Sequence, residues 1–141
     1  MAISTQTLKD TSIATGSGAA GGLVTVLVNM NANTAADQVI LDASTLVGHA
    51  AGAKLSITRA WWSLVEGTAD NNTGWCAIYF EGDSDIVAIN LAGNGHYDGT
   101  AGKIKNGVTN TGLTSGDMKL TAYGTSGFVM LELRKESGFT A

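Results

Sequence analysis

Gly16, Gly18 and Gly21 stand at the spacing G-x-G-x-x-G, a pattern that lets a backbone turn close against a dinucleotide pyrophosphate. That chemistry needs a buried strand before the motif and a helix opening on it, so that the helix N-terminus meets the phosphates. Upstream of Gly16 lies STQTLKDTSIAT, which is polar. Downstream lies Leu23-Val24-Thr25-Val26-Leu27-Val28, a β-branched run that favours strand over helix. The glycines therefore read as a flexible lead-in to a strand, and no nucleotide site is expected.

Acid–base and nucleophilic chemistry is equally thin. His49 and His96 are the two side chains that ordinarily titrate near neutrality. In NGHYDG, His96 stands two residues before Asp98, and Ser115 and Cys76 are the conceivable nucleophiles. No nucleophile elbow or family signature surrounds them, and Cys76 falls on a predicted core face, where thiols are inert. A turn rich in Gly and Asn with a surface histidine is the favoured reading. Glu81, Asp83 and Asp85 alternate in FEGDSDIV like the start of a calcium loop. However, Ile86 occupies the position that requires glycine, and no acidic residue closes the loop. A solvated hairpin turn accounts for them. Asn71-Asn72-Thr73 matches a glycosylation sequon that matters only in a secreted chain. The expectation is a non-enzyme with no catalytic residues, no cofactor and no metal.

Composition bounds what scaffold could hold these side chains. At 141 residues the chain suits one domain that buries about two-thirds of its unfolded surface. Hydrophobic residues make up 44%, net charge is -4, and there are 19 glycines and no proline. That excludes disorder and suits β structure with tight turns. The eight Lys and Arg are scattered, with only Arg134 and Lys135 adjacent, so no basic stripe awaits nucleic acid. A single cysteine excludes an intrachain disulfide. The first residues carry no basic and apolar signal pattern. The apolar run at residues 23–30 is broken by Thr25 and Asn29, far short of the ~20 residues of a membrane span. A soluble chain made in the cytoplasm, without membrane or nucleic-acid partners, is expected.

Helical periodicity is absent, and short runs of period-2 alternation recur instead. Strands are predicted over residues 23–30, 38–43, 55–66, 75–81, 85–91, 117–123 and 128–135, with a weak eighth at 103–108. Residues 32–36 have room for one helical turn. Seven to eight strands without intervening helices imply an all-β, antiparallel β-sandwich, jelly-roll-like, with an immunoglobulin-like sandwich as the alternative. Residues 1–22 are expected to form an extended N-terminal arm outside the sandwich, and residues 23–141 the single sandwich domain.

The strands at 55–66 and 75–81 are expected to pair as a hairpin, Val65 opposite Trp75. Ala60, Trp62 and Leu64 would then share an apolar side with Phe80, Ile78 and Cys76, and Arg59 would face Glu81. A bulge near Thr58 and Arg59 would return Leu55 and Ile57 to the core. Trp61, Trp75 and Tyr79 are left on the opposite side. Only one face of a sandwich sheet is core, so a loop, the N-terminal segment or a second subunit should cover them. These three are the candidate subunit or shell interface.

In order along the chain stand AWWSLVEG, WCAIYFEG, IVAINLAGNGHYD, GKIKNG, SGDMKLTAYG and FVMLELRK. From about Arg59 to Lys135, with LAGNGHYD and SGDMKLT most distinctive, this run resembles small head proteins of tailed bacteriophages. The role the resemblance implies is a capsid decoration, or cement, protein. It would be a homotrimer on the exterior of the virion, with the major capsid protein as partner and no active site. Two alternatives stand beside it: a carbohydrate- or receptor-binding sandwich of a tail fibre or tip, using the same aromatics as a stacking platform, and a small hydrolase using His96 or His49.

Overall fold

β-branched and aromatic residues alternating with polar ones favour pleated strands. Seven form in the computed structural model, which describes residues 3–13, 22–67, 74–109 and 116–140. They are β1 (Ser4–Asp10), β2 (Leu23–Leu41), β3 (Leu55–Glu66), β4 (Trp75–Phe80), β5 (Ile86–Ala92), β6 (Asn94–Tyr97) and β7 (Met118–Lys135). All pair antiparallel within one continuous sheet. A 3-10 turn at Ala43–Thr45, capped by Asp42, follows β2, and no α-helix occurs among the described residues.

β2 and β7 pair along nearly their whole length, from Leu23 opposite Arg134 to Leu41 opposite Met118. Their shared ladder breaks in the middle, with register shifts between Met30 and Gln38. Ala32 and Asp37 turn left-handed there (φ 52° and 50°), facing Gly124 and Gly127 of β7 (φ 53° and 125°). Non-glycine residues seldom adopt that conformation, and here side chains replace the lost ladder bonds. The Ala32 N–H donates to Ser126 Oγ (2.8 Å), Gly124 N–H to Thr34 Oγ1 (2.9 Å) and Asp37 N–H to Thr121 Oγ1 (3.1 Å). Short hydroxyl side chains that compete for backbone groups thus specify the bend.

The bend folds the sheet into two layers. The first has the order β1-β2-β7-β3-β6; the second is made by the far halves of β2 and β7 with β4 and β5. Only Gly93 separates β5 from β6, so that segment also passes from one layer to the other. Val24, Val26, Val28, Leu131 and Leu133 of the first layer and Ile78, Phe80 and Leu120 of the second are at most 1% exposed. They belong to one apolar cluster, so each layer covers the other's inner face. Trp62 joins this core at its rim: its Nε1–H donates to the Ala92 carbonyl (3.1 Å), and Gly95 lies against its ring.

Several expectations hold in detail. β3 has its expected bounds, and the register shift between Ile57 and Arg59 leaves Thr58 as the bulge that returns Leu55 and Ile57 to full burial. Others are corrected. The runs at 23–30 and 38–43 are one strand, as are 117–123 and 128–135, because a bend divides each without ending it. Residues 32–36 form part of that bend and no helical turn. The weak run at 103–108 contributes only an isolated bridge, Ile104 with Ile57. No β3–β4 hairpin forms: both strands pair with β7, β3 along its second half and β4 along its first. Arg59 accordingly meets Glu132, not Glu81. Part of the expected arm, Ser4–Asp10, lies against β2 as an edge strand, and residues 14–21 lie outside the described residues.

Candidate functional site

The side chains with catalytic potential are dispersed. Cys76 is fully buried, and burial pushes its thiol up to about 12, so it stays protonated and unreactive. His49 sits edge-on to Phe139 (ring centroids 6.0 Å), with its buried Nε2 lacking any hydrogen-bond partner among the described residues. His96 is exposed on β6. Asp98 does not orient it: the Thr100 hydroxyl and N–H (2.9 Å for the latter) hold that carboxyl below its usual range. Ser115 and the sequon at 71–73 lie outside the described residues, as does the glycine motif. The motif's flanks are clear: exposed β1 precedes it and a strand, not a helix, follows it.

Glu81 and Asp85 are spoken for. Lys119 Nζ lies 3.1 Å from Asp85 and 3.7 Å from Glu81, and its pKa is raised first by the Asp85 hydrogen bond. Among the described residues no group of three or more His, Cys, Asp or Glu side chains is placed to hold a metal ion. No helix among them is long and apolar enough to cross a membrane.

What remains chemically unusual is the outward side of the layers. Residues directly opposed on neighbouring strands share a face. Across the first layer this gives the row Gln6–Leu27–Met130–Trp61–His96, and beside it Ser4–Asn29–Phe128–Ser63–Asn94. Leu27, Met130, Trp61 and Phe128 are half-buried, and among the described residues no strand packs over this face. On the second layer Trp75 stacks on Tyr123, centroids 4.0 Å apart and 18° between planes. Tyr79 lies four residues further along β4, between Lys119 and the exposed Val87.

The three sequence-predicted interface residues are therefore separated. Trp75 and Tyr79 share the outer face of the second layer, and Trp61 belongs to the outer face of the first. Each has companions that sequence reasoning passed over, namely Met130, Leu27 and Phe128 for Trp61, and Tyr123 for Trp75. The alternation in FVMLELRK carried part of that signal: Val129, Leu131 and Leu133 are buried, which turns Phe128 and Met130 outward.

No protein-family model matches the chain, and neither the curated proteins nor the solved structures yield a match.

Proposed function

We propose that this protein is a structural component of a tailed-phage head, a decoration or cement protein that assembles as a homotrimer and binds the outer surface of the capsid shell. The observation that carries the reading is the aliphatic and aromatic row Leu27–Met130–Trp61 on the outer face of the first layer. Charged residues make up only 14% of the chain, and a contiguous apolar strip on an outer face is costly to leave in water. A neighbouring subunit or the shell supplies the cover. The motif resemblance over residues 59–135 supports the same role, and the dispersed His, Cys and carboxylates fit a protein that works by contact.

Sedimentation at high micromolar concentration tests the first half, since a clean monomer removes the trimer. For the second half, purified protein is mixed with expanded shells lacking it and imaged. Ordered decoration at symmetric positions is the expected result, and random adsorption or none refutes it. A second reading, glycan binding at a phage tail tip, is favoured by one observation, the flat Trp75–Tyr123 stack on the outer face of the second layer. Saturable occupancy of a sugar on a glycan array, lost in Trp75→Ala, would establish that reading instead.

A further inference from the structure

Three of the eight cationic side chains, Arg59, Lys103 and Arg134, line a single cleft of about 430 Å³ at one end of the first layer. Its floor is the outer face of β3 and β7. Arg59 stands opposite Glu132, and Arg134 is two residues further along β7 on the same face. Diagonal neighbours of this kind have Cα atoms roughly 7–8 Å apart, a span that two guanidinium groups close around one small anion.

The opposite wall is fixed before any ligand arrives. Gly99 has φ 82°, and a Cβ there would sit 2.6 Å from the Thr58 carbonyl, so the 98–103 turn lies directly against the β3 bulge. Within the turn the Gly102 N–H donates to Gly99 (2.9 Å) and the Tyr97 hydroxyl to the Gly102 carbonyl. Paired hydrogen bonds between Ile57 and Ile104 (2.7 and 3.1 Å) fasten its far end to β3.

The charges in the cleft are unevenly matched. Lys103 is committed to Glu136 at 2.5 Å. Asp98 is satisfied by Thr100 within its own turn. Arg59 reaches Glu132 through Nε at 3.7 Å with its side chain 55% exposed, a long pair that water screens. Glu132 meanwhile accepts from the Thr58 hydroxyl (3.0 Å). Arg134 has no carboxylate within ion-pair distance among the described residues. Guanidinium groups present planar forks of N–H donors suited to two oxygens of one acid group.

We infer that this cleft is a binding site for a small oxyanion, a carboxylate or a phosphate group, anchored on Arg134 and closed by Arg59. The site adjoins the apolar row on the same outer face, and its anion chemistry does not rest on the shell-binding reading. Asp98 and Glu132 confine the anion to the Arg134 side and disfavour extended polyanions, in keeping with the absence of a basic stripe elsewhere. A volume near the lower end of the small-molecule range suits a compact ligand.

Titration of the full ¹⁵N-labelled chain with sodium phosphate and, separately, sodium acetate tests this, with sodium chloride at matched ionic strength as reference. Saturable shifts are expected at the Thr58 and Gly99 amides and the Arg134 Nε–H, beyond any change that chloride produces. Arg134→Gln should weaken binding by about tenfold or more, as loss of a charged hydrogen-bonding partner does, and Lys54→Gln, outside the cleft, should not. Arg59→Gln gives a second test from the neighbouring strand, β3. Binding of phosphate alone assigns a phosphate group and binding of acetate alone a carboxylate; either upholds the site. Non-saturating shifts with both anions, or wild-type affinity in both arginine variants, overturn it.

Discussion

Replacing Lys135 with methionine should remove about 3 kcal/mol of stability, and the structure shows why the figure is that large. The Lys135 side chain is fully buried, and its Nζ donates to Asp10 Oδ1 (2.5 Å), the Val47 carbonyl (2.7 Å) and the Thr11 carbonyl (2.9 Å). All three ammonium protons are used, and the Phe139 ring lies 5.4 Å from the nitrogen. One side chain of β7 thus joins the end of β1, the loop after β2 and the C-terminal segment. Breaking a buried ion pair by removing one partner costs about 3–5 kcal/mol. Two carbonyls also lose their donor. The lower end of the range applies because methionine keeps the stem's packing and Asp10 is 18% exposed, so water recovers part of its solvation. Asp10 Oδ2 also keeps the Val47 N–H at 2.8 Å. Urea unfolding followed by circular dichroism reads this out as a midpoint lowered by about 1.5 M at an m-value of about 2 kcal/mol/M. Amides of β1 should exchange faster in the same variant, and Asp10→Leu with Lys135→Met should recover most of the loss, since an apolar pair leaves no unmatched charge. A single variant within about 1 kcal/mol of wild type would refute the assignment of Lys135 as the clasp.

Trp62→Ala should cost about 3–4 kcal/mol, because the ring packs at the core rim and holds Ala92, with Trp61→Ala clearly milder in the monomer; denaturation of both checks this, and the reverse order would mean that the facing of β3 is wrong. Gly127→Ala should cost about 4 kcal/mol or prevent folding, since φ is 125° and the new Cβ would overlap the Ser63 carbonyl, whereas Gly107→Ala meets nothing within 4 Å and should melt like wild type. Native protein at pH 8 should resist iodoacetamide at Cys76 and label fully in urea, following the raised thiol pKa; rapid native labelling would show the thiol to be accessible.

Local alternation made much of the fold legible. Burial of Leu55 and Ile57 required a slip in β3, and the slip lies at Thr58. The outward direction of Trp61, Trp75 and Tyr79 followed from the same period. Pairing partners were not legible, because sequence proximity suggested β3 with β4 while both lie end to end along β7. β1 escaped notice since STQTLKD is polar on both faces and only one of its edges is paired. The bend was hidden for a related reason: Asn, Ala, Thr and Gly at 31–37 and 124–127 read as turns that end strands, and here they redirect them. The oxyanion cleft could not be seen at all, since it joins a bulge, a distant turn and the last strand, none of which carries a motif.

That last strand also governs when the molecule can come into being. β7 pairs with β2, β3 and β4, and the β2 residues it meets lie roughly a hundred positions earlier in the chain, a separation that makes loop closure slow. Without β7, β2 has no ladder joining it to β3 or to β4, so neither layer is complete until that strand is in place. Until β7 joins, the apolar rows of β2 and β3 lack the strand that lies between them, and an unpaired apolar strand of this kind is where a partly folded chain meets its neighbours.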